Sequence, residues 1–317
     1  MNIDDKVALC RCEEYDVRKI FEFLKGMSEQ LGITPNEIKD KTVIIKPNLL
    51  LAFPPEKAAT THPDVVSAAA LLFSQWGARR VTIAESPGGI YNEKNLERVY
   101  TVTGMKEAAA QSGAYLNREL GWTEFSTPNG KVSKTVNLIN PVYEADVIVN
   151  ICKMKTHSLA VMTGAAKNLF GVIPGIMKFE MHARFKKPED FFSMVIDLDE
   201  QLAKSHNVIH ICDGIMGMEG DGPSGGIPKK AGVLLMSRNP FNLDCVSARI
   251  MRLDDRVRFI SLAAERGLCP KVFDKISIIG SRPEEIECGS FALPDAAKGK
   301  KFDLIPPFLQ PRPVIDG

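Results

Sequence analysis

Four short polar stretches in this chain carry residues able to do chemistry. They are Lys46-Pro47-Asn48, Glu85-Ser86-Pro87-Gly88-Gly89, Cys152-Lys153-Met154-Lys155-Thr156-His157, and Asp213-Gly214 running on to residue 226. The densest set lies in residues 150–175, which hold Lys153, Lys155, His157, Lys167 and Asn168, with Lys178 just beyond. Ammonium groups and the free N–H groups of glycine-rich backbone both donate to oxyanions, so this pattern predicts a phosphate or carboxylate site. His157, a few residues past an apolar strand, is placed to act as acid, base or metal ligand. Lys167 and Glu85 complete the candidate catalytic set, since a desolvated lysine can serve as a base. Lys46, Asn48, Ser86, Gly88, Lys153, Lys155, Asn168, Gly214, Gly222 and Ser224 are candidate ligand-binding residues. His62 joins them, with helix capping as its other reading. His182 lies on a segment expected near the same cleft. Residues 164–168 lack the spacing of a Walker A loop.

Residues 213–226 contain six glycines in fourteen positions. Such permissive backbone suits tight turns or close approach to a ligand. Asp213, Glu219 and Asp221 are carboxylates of the kind that hold a hard divalent cation, and they are the candidate metal ligands. The spacing is not that of an EF-hand. A lid over a substrate and a purely structural turn are the alternatives.

These stretches need rigid elements to position them. A short apolar run at 7–10 precedes a helical pattern over 15–31. A β-rich strand at 41–45, a helix over 64–76 with Pro63 in its first turn, and a strand at 80–84 follow with tight connections. Strand, helix, strand is the βαβ signal of a parallel sheet. Further on, the pattern predicts helix over 95–112 with an interruption at 101–104, and a hairpin over 125–139 around Pro128-Asn129-Gly130. Strands are expected at 145–151, 208–212, 232–237 and 275–279, and helices over 189–204 and 243–251. Each polar stretch then follows a strand. Open α/β sheets bind ligands outside the carboxyl ends of their strands. The expectation is an α/β protein of two lobes with largely parallel sheets and a cleft between them: residues 1–125, residues 126–305, and an extended proline-rich tail over 306–317.

Composition narrows the function. The chain has 317 residues and is 44% apolar, enough for a substantial core. Forty basic residues face 39 acidic ones, for a net charge of +1. A nucleic-acid binder concentrates basic charge, so no nucleic-acid partner is expected. No apolar run is long enough to span a bilayer, and no secretory signal is visible, so no membrane role is expected. Seven dispersed cysteines do not read as a disulfide scaffold, which points to the cytoplasm. No cluster motif, dinucleotide fingerprint or nucleophile elbow is present.

Several segments together resemble the bacterial and archaeal family filed as domain of unknown function 362. They are Lys46-Pro47-Asn48, Thr61-His62-Pro63, Glu85-Ser86-Pro87-Gly88, Lys153-Met154-Lys155-Thr156-His157, Lys167-Asn168-Leu169-Phe170-Gly171, and Asp213-Gly214 with Glu219-Gly220-Asp221-Gly222-Pro223. The resemblance covers roughly residues 7–280. Many members carry a ferredoxin-like module that this sequence lacks, so the resemblance implies electron transfer only through a redox partner protein. A fainter similarity, over 145–175, is to the nickel-pincer lactate racemases, through His157, Lys167 and Ile173-Pro174-Gly175. Those enzymes follow the earlier strand with a Gly-x-His loop, whereas here the loop is Glu85-Ser86-Pro87-Gly88. This similarity implies a shared fold of two α/β domains around a cleft.

The function expected from these readings is an enzyme acting on an anionic small molecule, by redox or isomerase chemistry. The alternative is a non-catalytic cofactor- or metal-binding protein. No cofactor is specified beyond a divalent cation at the three carboxylates. A homodimer is left open.

Overall fold

The computed structural model describes residues 6–295. The tail expected from Pro306, and the end of the second expected lobe, lie outside them. In chain order the first elements are β1 (Lys6–Arg11), α1 (Val17–Gln30), β2 (Thr42–Pro47), α2 (Pro63–Gln75), β3 (Arg80–Ile83), α3 (Glu93–Val102), α4 (Met105–Ser112) and β4 (Tyr115–Leu116). A hairpin of β5 (Trp122–Ser126) and β6 (Thr135–Ile139) leads through α5 (Asn140–Tyr143) to β7 (Val147–His157). Then come β8 (Val161–Thr163), α6 (Ala165–Leu169), α7 (Met177–Arg184), α8 (Pro188–Ser205), β9 (Asn207–Glu219) and β10 (Ile227–Ser237). The last are α9 (Pro240–Met251), α10 (Arg258–Glu265) and β11 (Ser277–Gly280).

The α/β class expected from the sequence is what the chain adopts. Its main sheet, however, is a single one, with strand order β11-β1-β10-β9-β7-β2-β3-β4 and β8 beside β7. The first strand of the chain sits between two of the last, pairing parallel with β11 and antiparallel with β10. The centre, β9-β7-β2-β3, is parallel, while β10 and β8 run antiparallel to their neighbours, so the sheet is mixed. Strands from both expected lobes therefore share one ladder, and the only other pairing among the described residues is the β5–β6 hairpin.

Alternation along each strand splits the core in two. Val147, Val149 and Ile151 of β7 face a layer built from α1, α2, α3 and α4, whereas Ile148, Cys152 and Met154 face α6, α8, α9 and the hairpin. Local signals place the helices. Pro63 opens α2, and His62 Nδ1 accepts the Asp64 N–H at 3.2 Å. Gly104, at φ +75°, separates α3 from α4 where an interruption was expected. Asn239 caps α9 by accepting from the N–H groups of Phe241 and Asn242.

One local expectation changes. Cys152–His157 and Asp213–Glu219 are not loops after strands but the continuation of β7 and β9. The alternation that buries Val149 and Ile151 carries on through Lys153, Lys155 and His157, so all three share a side of the strand.

Candidate functional site

A cavity of about 520 Å³ opens beyond the carboxyl ends of β2, β3 and β7. Its wall includes Lys46 from the end of β2, with Asn48, Glu85, Ser86 and Gly88 from the two loops after β2 and β3. The end of β7 adds Lys155 and His157, and the α6 segment adds Lys167 and Asn168. The glycine-rich stretch after β9 brings Asp221, Gly222 and Ser224. That stretch is held by β7: Thr156 Oγ1 donates to the Gly220 carbonyl at 2.8 Å, and the Ser158 N–H donates to the Gly222 carbonyl at 3.1 Å. A Cβ on Gly222 would lie 2.0 Å from the Thr156 carbonyl oxygen, so the close approach requires glycine there.

The floor is an ordered polar chain. Lys155 Nζ donates to Asn48 Oδ1 at 3.0 Å, and Asn48 Nδ2 donates to Asn168 Oδ1 at 2.9 Å. Asn168 Nδ2 donates to Asn150 Oδ1 at 2.7 Å, and Asn150 Nδ2 donates to the Ala165 carbonyl and to His210 Nδ1. Each amide is oriented by the next, so Lys155 and Asn48 are fixed rather than free to follow a ligand. Beside them Lys46 Nζ donates to Glu85 Oε2 at 2.6 Å and to the Pro47 carbonyl at 2.8 Å, both side chains being buried. Lys178 Nζ donates to the Ser86 carbonyl.

Burial shapes the electrostatics. Desolvation, with a contribution from Lys46, pulls the Lys167 pKa down to about 8. Desolvation also lowers Lys178 to about 7, and it drives Lys155 well below the ordinary lysine value. Lys167 has no hydrogen-bond or ion-pair partner among the described residues. His157 Nδ1 accepts the N–H groups of Leu159 at 3.0 Å and Ala160 at 3.2 Å. The ring proton therefore sits on Nε2, and burial keeps the pKa well below the usual histidine value. An uncharged ring with its proton on Nε2 can donate a hydrogen bond there. Two buried hydroxyls in the cavity wall, Ser86 Oγ and Thr163 Oγ1, have no hydrogen-bond partner among the described residues. A site of this kind can hold an oxyanion through cations, hydroxyls and an imidazole N–H.

Five expected site residues lie elsewhere. Lys153 Nζ donates to Asp213 Oδ2 at 2.8 Å and to Tyr15 Oη at 2.9 Å, while Tyr15 Oη donates to Asp213 Oδ1 at 3.1 Å. The His62 N–H also donates to Asp213, and its ring stacks on Tyr15 with centroids 3.5 Å apart. Lys153, Asp213 and His62 thus form a separate buried cluster, in which His62 serves α2 as its cap. Gly214 packs against Val233 and Met154. Glu219 accepts from Lys229 Nζ and the Ala292 N–H, both at 2.8 Å. Asp221, though in the cavity wall, accepts from the Asp295 N–H. The carboxylates of Asp213, Glu219 and Asp221 therefore do not form one ligand set, because each is committed to a different partner. Among the described residues no three His, Cys, Asp or Glu side chains converge on a metal position.

Two residues of the segment expected near the cleft also reach the cavity. Lys178 and His182 both line the cavity, one helical turn apart on α7, an i,i+4 spacing that marks a shared face. Asn150 was readable as an amide inside an otherwise apolar strand, an arrangement that demands partners. Thr163 in the cavity wall, and Tyr15 in the separate buried cluster, gave no comparable signal.

Fold and site together define a three-layer α/β protein with a cationic cavity at the carboxyl edge of a mixed sheet. The chain belongs to the family described as Domain of unknown function (DUF362), whose model matches residues 43–249. It is 29% identical over 310 residues to the thylakoid-associated protein sll1697 of Synechocystis sp. (strain ATCC 27184 / PCC 6803 / Kazusa), covering 94% of this chain and 90% of that one. Among solved structures, the lactate racemase apoprotein from Thermoanaerobacterium thermosaccharolyticum is distantly similar, with a TM-score of 0.45 and 11% identity. That superposition covers 78% of this chain and 57% of the racemase chain, so this chain spans a little over half of that protein's length.

Proposed function

We propose that the cavity is the active site of an enzyme that binds a small phosphate- or carboxylate-bearing molecule and moves a proton on it. The observation that carries this reading is the unpartnered Lys167 facing a space also lined by Lys155, Lys178, the His157 ring and two unpaired buried hydroxyls. Lys167, protonated near neutral pH, holds the oxyanion together with Ser86 and Thr163. Lys178, whose pKa burial lowers to about 7 in the empty site, gives up its proton far more readily than an exposed lysine and serves as the general base. The His157 Nε2–H donates to the carbonyl oxygen beside the carbon that loses its proton, stabilising the enolate that forms. Lys46 and Glu85, already paired with each other, fix the wall that holds Ser86.

The test has two parts. Calorimetric titration with inorganic phosphate is expected to show binding that Lys167→Met weakens by roughly 1–3 kcal/mol, the range for a lost charge-assisted hydrogen bond. Small 2-oxo acids and phosphorylated ketones, incubated with the protein in deuterium oxide, are expected to gain deuterium next to the carbonyl, and Lys178→Met is expected to stop it. Unchanged phosphate affinity in Lys167→Met rejects the anion site. Binding without exchange for every compound rejects catalysis and leaves a non-catalytic carrier.

A further inference from the structure

The anion donors fill only part of the cavity. About 520 Å³ lies within the range that drug-sized ligands occupy, roughly 300–1,000 Å³, and a bare phosphate or a short carboxylate would leave most of it unfilled. Apolar side chains, Leu50, Leu159, Phe170, Phe179 and Pro223, make up a further part of the wall, beside polar Ser158, Asp221 and Ser224. Leu50 and Phe179 are only partly buried and belong to neither core cluster. Core packing therefore does not account for their placement at the cavity.

Rings dominate one part of this wall. His182 lies flat on Phe191, with centroids 4.3 Å apart and planes at 17°, and Phe170 meets both edge-on at 5.4 and 5.1 Å. Desolvation lowers the His182 pKa to about 4, so near neutral pH this ring is uncharged and behaves as an aromatic surface. Phe170 and His182 both reach the cavity, as does Phe179 on α7.

From this wall we infer that the ligand is an aryl-bearing anion: a phosphate or carboxylate head joined to an aromatic ring. The inference rests on the anion-site reading above. The head takes Lys167, Ser86 and Thr163, and the ring takes the surface made by Phe179, Phe170, His182 and Leu50.

Calorimetry with two probes, inorganic phosphate and phenyl phosphate, tests it. Burying a phenyl group is expected to make phenyl phosphate bind at least about tenfold more tightly than inorganic phosphate. Phe179→Ala is expected to bring the ratio of the two dissociation constants down by at least about threefold, with circular dichroism confirming that the variant is folded. A wild-type ratio near one, with phosphate still binding, overturns the aryl inference and leaves the anion site standing. A ratio that folded Phe179→Ala leaves unaltered overturns it as well. Binding of neither probe overturns the anion site and this inference together.

Discussion

Lysines set the behaviour of the cavity at the scale of single residues, because burial makes their charge conditional. Lys167 is protonated below about pH 8 and Lys178 below about pH 7 when the site is empty. A bound anion favours the protonated forms and raises both values. The proposed anion affinity is therefore expected to be full below the free-state pKa values and to decline as pH rises through them. Sulfate, whose own charge is constant over this range, is expected to bind roughly tenfold more weakly at about pH 9 than at about pH 7. Lys167→Met is expected to flatten the decline above about pH 8. Affinity that stays level or climbs across the range would contradict this assignment. Types and spacing in the sequence sufficed to single out Lys46, Lys155, His157 and Lys167. They did not distinguish Lys155, which faces the cavity, from Lys153 two residues earlier on the same side of β7. The partners decide it: Asn48 lies beside one and Asp213 beside the other, and both are distant in sequence.

At the scale of elements, glycines control how closely the loops pack. Gly175 precedes α7, and a Cβ there would lie 2.1 Å from the Gly89 carbonyl oxygen and 3.1 Å from the Tyr91 nitrogen. Both atoms are backbone and cannot step aside. Gly175→Ala is expected to cost about 1–3 kcal/mol of stability, in line with overpacking, and to weaken phosphate binding by moving Lys178 and His182. Gly26, inside α1 with nothing within 4 Å of its Cβ position, is the control. Gly26→Ala is expected to be neutral or to stabilise by up to about 1 kcal/mol, because alanine loses less backbone entropy in a helix. Urea denaturation of the two variants checks the contrast, and equal midpoints would refute it. The sequence showed the break between α3 and α4 and the β5–β6 hairpin, since both depend on local backbone chemistry. It did not show that β7 and β9 run on past their apolar stretches, because Lys-Met-Lys-Thr-His looks like a solvated turn until its partners bury it.

For the whole molecule, the position of β1 matters most. It is hydrogen-bonded on both sides, to β10 and β11, so the first strand of the chain closes a sheet begun by the last. Val7, Ala8 and Leu9 are fully or almost fully buried, and they feed both core layers. A chain starting at Cys12 would expose the β10 ladder and leave β11 without its partner. It is expected to lose the near-ultraviolet circular dichroism of packed aromatic rings and to aggregate on concentration. A truncated chain that unfolds at the full-length denaturant midpoint would show that the sheet does not depend on this closure.

Periodicity, turn residues and capping signals act over a few residues, so the sequence alone determined the α/β class, most helices and strands, and the grouping of Lys46, Glu85, His157 and Lys167. The proposal that they bind an oxyanion starts from residue type, because cations near glycine-rich backbone suit oxyanions wherever they sit. Only the tertiary structure decided that the strands form one mixed sheet, that Asp213 pairs with Lys153 instead of a metal, and that Thr163 joins the cavity. Strand order and side-chain pairing depend on contacts between segments dozens to hundreds of residues apart, and spacing along the chain does not encode which of those segments meet.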